Sequence, residues 1–482
     1  MNVADFVALL PLLTISTTAI VVMIAIAIRH NHKVVFAISL IGVAAALASL
    51  LLAASAAPRQ IATLLILDSY SRLYMAILLG AAAFVFLFGY DYLKRRQERP
   101  EEFYLLVLLA TTGAMVLVIS RNFASFFLGL ELLSVALYSL ISYVRTESSC
   151  IEAGIKYLIL AASSSSVLLF GLALIYAESG SMELFQFSAA MTRASEPTSL
   201  FLLTGLMLVL TGIGFKLAVV PFQLWTPDVY EGAPLPVTAF IATVSKAGMF
   251  AFLLRWFHVQ DAGVAGAPGL VLTIIAIASM LTGNLLALAQ TNVKRILAFS
   301  SIAHMGYLLV ALLAGGVLGA PAATYYLIAY AATILSAFGL MTVLSGPRLE
   351  AASIDDYRGL FWKRPLVAGA FTTTLLSLAG IPLTAGFLGK FYVIAAGASQ
   401  SRWLLLFTLV ASSTIGLFYY LRIIVAMYSQ SEGPGLEEES SIQPLSLPAT
   451  LALTVLTGLI LLLGVYPAPL WDAIIAVTHD LG

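Results

Sequence analysis

The sequence predicts an all-α integral membrane protein of about fourteen transmembrane helices, with two inverted five-helix repeats that each contain a broken helix. Three observations predict it. Hydrophobic residues fill 61% of the 482 positions and charged residues only 10%, against about 25% charged in an ordinary soluble domain. Mean hydropathy is +1.01. The apolar residues also gather in runs of the roughly 20 residues that a helix needs to cross a bilayer.

The runs fall near 6–28, 34–54, 72–92, 103–120, 123–143, 154–177, 199–224, 235–257, 269–290, 295–315, 321–345, 365–395, 403–428 and 447–466. Connections between them are short, so no soluble domain is inserted. The first run lacks a basic N-terminal flank and is read as a retained helix rather than a cleaved signal.

Composition excludes several classes. Lys plus Arg is 24 and Asp plus Glu is 24, with no basic stripe for nucleic acid. Cys150 is the only cysteine, which rules out a disulfide scaffold or a cysteine-ligated cluster. The histidines at 30, 32, 258, 304 and 479 are scattered and suggest no metal site. There is no glycine-rich phosphate loop, so any redox chemistry belongs to another polypeptide.

A weak internal repeat sets the expected organisation. Tyr157-Leu158-Ile159 recurs as Tyr326-Leu327-Ile328, and Phe170-Gly171-Leu172 as Phe338-Gly339-Leu340. Tyr138 matches Tyr307, and the Gly248, Phe250, Leu253 pattern matches Gly416, Phe418, Leu421. The offset is 168 or 169 throughout. Spans four to eight (101–258) therefore map onto spans nine to thirteen (268–430). Three helices precede them (1–100), and one helix and a tail follow (445–482). Five spans is an odd number, so the second unit enters the membrane inverted, as in many transporters.

Loop charge orients the chain. The side of the odd connections holds Arg29, Lys33, Lys94, Arg95, Arg96, Arg99, Arg145, Lys294, Arg295, Arg348, Arg358, Lys363, Arg364 and Arg422. The other side holds Arg59, Arg72, Arg121, Arg193, Arg255 and Arg402. Fourteen against six puts both termini on the outer face. The acidic connections at Asp228 and Glu231, and at Glu432, Glu437, Glu438 and Glu439, do not count under this rule.

Five ionisable residues fall inside the spans, at about 2.5–3.5 kcal/mol each on insertion scales. They are Glu131, Lys156, Lys216, Lys246 and Lys390, with His304 a sixth group that can titrate. Four lysines and one carboxylate do not balance as structural ion pairs. Desolvation disfavours the charged amine, so some of these lysines are expected to be neutral part of the time and to relay protons. Lys246 lies about eleven residues, roughly 16 Å, from either end of its span, too far to snorkel. Lys156 lies nearer an end, where snorkelling is the plainer reading. Ser163, Ser164, Ser165 and Ser166 are either a water-holding site between lysines or small residues for close packing. For His304, a satisfied buried ring competes with a proton relay between the two halves.

Two spans should be broken. Pro221 cannot continue the ladder after Lys216. In Gly380-Ile381-Pro382-Leu383-Thr384-Ala385-Gly386, glycine and Pro382 interrupt the helix before Lys390. Interruptions at corresponding places in two halves point to a transport site.

Several of these motifs carry a resemblance. Gly214-Phe215-Lys216 through Pro221-Phe222, then Trp225-Thr226-Pro227-Asp228-Val229-Tyr230-Glu231-Gly232-Ala233-Pro234, is similar to the antiporter-like subunits of respiratory complex I, NADH–quinone oxidoreductase. Ser301-Ile302-Ala303-His304-Met305-Gly306-Tyr307 and the run from Gly380 to Phe387 fit the same family, over essentially the whole chain. Lysine rather than glutamate at 390 resembles the subunit N branch rather than the subunit M branch. Subunit L carries a long C-terminal lateral helix with no counterpart in this sequence.

The resemblance implies a non-redox subunit of a proton translocase in the bacterial plasma (inner) membrane. It implies subunits M, K and J and lipid as partners, and no nucleic acid. No cofactor is implied in this chain, with FMN, iron–sulfur clusters, NADH and quinone on other subunits. It further implies that Glu131 pairs with Lys216, that Lys156 bridges to a central Lys246, and that Lys390 serves the outer half-channel. The other readings are a cation/proton antiporter subunit of the same fold, a stand-alone solute carrier, and a scaffold whose polar residues are vestigial.

Overall fold

The computed structural model describes residues 2–96, 99–183, 200–258, 266–346, 349–430 and 446–479. Arg193, Arg348 and the acidic residues Glu432, Glu437, Glu438 and Glu439 lie outside them.

The helices follow from the apolar runs, because backbone polar groups in lipid must be satisfied within the segment. In chain order they are α1 Val3–Ile28, α2 His32–Ala53, α3 Ser69–Arg96, α4 Glu101–Ile119, α5 Phe123–Ile141 and α6 Ser148–Ser179. Then come α7 Leu200–Leu217, α8 Trp225–Gly232, α9 Leu235–Phe257, α10 Gly266–Leu288, α11 Val293–Ala314 and α12 Gly316–Leu344. The chain closes with α13 Pro365–Ala379, α14 Ala385–Ser399, α15 Trp403–Tyr428, α16 Leu447–Val465 and α17 Ala468–His479.

Thirteen of these are long and apolar enough to span. The expected twelfth span is divided into two shorter apolar helices, α13 and α14. Two elements were not anticipated. A hairpin pairs β1 Arg59–Ile61 with β2 Leu65–Leu67, and α17 extends past the last span.

Burial orders the helices. The apolar windows of α9 and α11 are 100% buried, and that of α12 is 83% buried, whereas α1 reaches only 28%. The core thus lies where α9 meets α11 and α12, and α1 is peripheral. Many hydroxyls inside the bundle bond the carbonyl one turn back, as with Thr111 to Val107 and Thr333 to Ala329.

Close helix crossings use glycine, and they recur. A Cβ on Gly113 would meet Leu133 N at 2.6 Å and Gly129 O at 2.8 Å; one on Gly283 would meet Ala303 N and Phe299 O, each at 2.7 Å. The partners are displaced by 170 residues. Asn122 caps α5 and Asn292 caps α11. Phe123 N donates to Met182 O and Val293 N to Ala352 O, again 170 apart.

The helix breaks are sharp. After α7 the chain turns through Ala218 at φ 60 and resumes at α8; after α13 it turns through Gly380 at φ 86 and Leu383 at φ 72 before α14. A left-handed residue ends a helix by turning its ladder aside. A third irregularity is a π-helical turn at Ile241–Ser245, directly before Lys246.

Candidate functional site

Of the four lysines buried among the described residues, Lys216, Lys246 and Lys390 each meet a serine, while Lys294 meets Glu350. Lys216, in the last turn of α7, donates from Nζ to Ser134 Oγ of α5 at 2.7 Å and lies 3.5 Å from Tyr157 Oη of α6. Lys246 follows the π-turn of α9 and donates to Ser301 Oγ of α11 at 2.6 Å. Its ammonium sits 5.6 Å from the centroid of the Tyr230 ring, which adds cation–π attraction. Lys390 of α14 reaches back across the break. It donates to Ser413 Oγ at 2.7 Å and to the last carbonyls of α13, Leu378 O and Ala379 O, each at 2.9 Å. Helix C-termini present free carbonyls and a partial negative charge, so the break itself builds this cation site.

Hydroxyls fill the space between. Ser301 Oγ is 2.5 Å from Tyr330 Oη and 3.4 Å from Tyr230 Oη. One turn on, His304 Nδ1 lies 2.6 Å from Tyr326 Oη and Nε2 lies 3.3 Å from Tyr420 Oη, which also bonds Ser300. The Tyr307 ring lies 5.3 Å from the Lys390 ammonium, and its hydroxyl meets Asn284 at 2.9 Å and Ser412 at 3.3 Å. The path from Lys246 to Lys390 is thus lined by serine, tyrosine and His304.

Glu131 and Lys156 stand apart from these contacts. Glu131 sits mid-way along α5, one turn before Ser134, but forms no ion pair with Lys216 within 4.0 Å among the described residues. The ammonium is turned to the serine hydroxyl instead. Glu131 is half-buried, and its Oε1 is sealed with no hydrogen-bond partner.

Lys156 does not join the buried row. Helix α6 starts at Ser148, and Lys156 lies on its outward flank, 44% exposed, paired with Glu152 at 2.8 Å and Asp228 at 3.0 Å. Ser163, Ser164 and Ser166 make no contact with a lysine among the described residues. Ser163 and Ser166 are exposed and bond their own helix, while Ser164 approaches Gly212 O at 3.4 Å. Their small size lets α6 pack on α7.

Sequence reading missed the lysine partners Ser134 and Ser413 and the hydroxyls of Tyr230, Tyr330 and Tyr420. Ser134 had a signal, lying three residues after Glu131 and therefore on one helix face. Ser413 had none, because no ionisable residue lies within a turn of it on its own helix. Among the described residues no group of three metal-ligating side chains comes together.

Residues 120–416 match the family described as NADH:quinone oxidoreductase/Mrp antiporter, TM. The chain is 46% identical over 476 residues to NADH-quinone oxidoreductase subunit N of Ectopseudomonas mendocina, covering 97% of this chain and 95% of that protein. The chain belongs to the subunit N family of NADH–quinone oxidoreductases. In solved structures, this subunit N family member is similar to a chain of respiratory complex I from Thermus thermophilus. The identity is 32% and the TM-score 0.81, over 96% of this chain and 99% of that one. It shares its fold with a chain of the Mrp complex from Dietzia sp., at 20% identity and TM-score 0.87, over 100% of this chain and 98% of that one. It also shares its fold with a chain of the archaeal membrane-bound sulfane sulfur reductase, at 24% identity and TM-score 0.84, over 100% and 98%.

Proposed function

We propose that this chain is a proton-translocating membrane-arm subunit of an NADH–quinone oxidoreductase, a non-redox part of a translocase whose electrons flow through other subunits. One observation carries the reading. The buried lysines Lys216, Lys246 and Lys390 each hold a serine hydroxyl at 2.6–2.7 Å, and, unlike Lys294, none of these three has a carboxylate within 4.0 Å among the described residues.

The partner type decides the chemistry. A carboxylate at contact distance favours a permanently charged lysine. A serine hydroxyl both donates and accepts, so it bonds an ammonium as acceptor and a neutral amine as donor. The contact survives either protonation state, which a relay requires. Glu131, with one oxygen sealed and unpaired, is the group through which a neighbouring charge is felt. A change there alters the field at Lys216. The proton shift then passes through Lys246, the Ser301–Tyr330 hydroxyls and His304 to Lys390.

The same reading divides the chain into inverted repeats at 101–258 and 268–430, supported by the crossings, caps and loop bonds that recur at a separation of 170 residues. It places Pro221 and Pro382 at paired helix breaks and both termini on the outer face, the latter supported by the Lys and Arg balance. It makes subunits M, K and J the neighbours, with FMN, iron–sulfur clusters and quinone held elsewhere in the assembly.

The test is gentle purification of the tagged chain from its native membrane, with mass spectrometry of its partners and proton pumping measured in proteoliposomes. Flavin- and iron–sulfur-bearing partners are expected, and Lys216→Ala or Lys246→Ala should abolish pumping in an assembled complex. Small membrane partners without redox cofactors would point instead to a cation/proton antiporter. Unchanged pumping per electron in Lys246→Ala would end the relay reading.

A further inference from the structure

Lys294 counts in the sequence only as loop charge, and Glu350 carries no motif. Both are buried, with side chains 2% and 13% exposed. Lys294, the second residue of α11, places Nζ 2.6 Å from Glu350 Oε2 and 2.8 Å from Ala233 O. Glu350 Oε1 accepts from Leu235 N at 3.2 Å and from Tyr92 Oη, and Arg96 stands 3.7 Å away. The pair therefore holds both an acceptor and a donor of the short linker between α8 and α9. The linker has little slack. Cys150 Sγ donates to Gly232 O at 2.9 Å, and a Cβ on Gly232 would stand 2.6 Å from both Ser149 O and Ala153 Cβ.

Both elements joined by this linker converge on Lys246. Helix α8 supplies the Tyr230 ring against the ammonium, and α9 carries the lysine itself. The acceptor, Ser301, is seven residues after Lys294 on α11. That is two turns, so the two side chains leave the same face of one helix. Helix α11 grips the linker with Lys294 and the relay lysine with Ser301.

The geometry points to Lys294 and Glu350 as positioning residues of the proton relay. Their ion pair fixes the register of α8 and α9 against α11, and so sets the Lys246–Ser301 contact. An ion pair suits this task because apolar packing can slide, whereas hydrogen bonds to a named donor and acceptor cannot. A buried pair is tolerated when its remaining lone pairs are filled, as those of Glu350 are. The inference rests on the relay reading given under Proposed function.

The test uses the whole complex in native membranes, reading assembly, NADH–quinone turnover and protons moved per electron. Glu350→Gln and Lys294→Met should assemble and turn over about three- to tenfold more slowly, with Lys294→Arg restoring most of the rate. The double variant Glu350→Gln with Ser301→Ala should be no slower than Ser301→Ala alone, because both break one contact. Multiplying effects would overturn the inference, as would normal turnover in assembled Glu350→Gln. If the first two variants fail to assemble, Glu350→Asp carries the same cycle with Ser301→Ala. Lys246→Ala separates the two readings. Unchanged pumping there sinks the relay and this inference together, while lost pumping there with a normal Glu350→Gln sinks this inference alone.

Discussion

At the residue scale, the serine beside each lysine is the feature that distinguishes a relay from a set of structural ion pairs. Ser134 should therefore respond to chemistry rather than to size. Ser134→Ala removes a hydrogen bond to a charged group, about 1.5–3 kcal/mol, and should slow coupled turnover roughly ten- to hundredfold. Ser134→Thr keeps the hydroxyl and should keep most of the rate. Ser134→Asp puts a carboxylate at contact distance from Lys216 Nζ, now 2.7 Å from the serine oxygen, and should lock the ammonium. An assembled Ser134→Asp complex that pumps normally would refute the argument. The four lysines and Glu131 were legible because an ionisable residue inside an apolar run has few structural excuses. Which serine meets which lysine was not, because Ser134, Ser301 and Ser413 approach from other helices. Lys156 misled because the apolar run near 154 hid a helix that begins at Ser148 and turns that lysine outward.

At the scale of elements, the spans were legible from run length and the two breaks from glycine and proline density. The hairpin, α17 and the inward fold of the segment around Glu350 were not. They depend on contacts with distant chain, such as the bond from Val293 N to Ala352 O. The second break makes a sharp prediction. Gly380 has φ 86, which costs an L-residue about 1–2 kcal/mol, and a Cβ there would stand 2.9 Å from Lys390 Cδ. Gly380→Ala should thus displace the lysine from the α13 carbonyls and lower pumping and turnover together. Gly369, on the same α13 helix, has open space at its Cβ position. Gly369→Ala should leave activity intact and raise thermal stability by up to about 1 kcal/mol. Equal effects of the two substitutions in a thermal-inactivation and turnover assay would refute this use of the break.

At the scale of the whole molecule, α1, α2 and α3 must be tied to the helices that carry the lysines. Polar ties recur along α3: Tyr74 to Thr324, Tyr92 to Glu350, and Asp68 at its start to Arg255 near the end of α9. The Arg255 guanidinium meets both Asp68 oxygens, at 2.7 and 2.9 Å. Burial pushes the Asp68 carboxyl up, but Arg255 and Ser71 outweigh it and hold it below its ordinary 3.8. Burial likewise pushes Glu350 up, and Lys294, Tyr92 and Arg96 outweigh it and hold it below its ordinary 4.5. For a depressed carboxyl the stabilisation is whole above the ordinary value and disappears as pH falls through the folded one. The assembled protein should therefore keep its thermal stability from pH 7 down to about 4.5 as far as these two groups decide it, and lose it below. Arg255→Met leaves Asp68 buried and uncompensated, at about 3–5 kcal/mol near neutrality. The Ser71 hydrogen bonds remain, but with Arg255 gone less opposes burial and the carboxyl rises. The variant should lose less of its remaining stability on acidification than the wild type. A parallel pH profile for the two proteins, measured by native gel after graded heating, would show that α3 is held by something other than this pair.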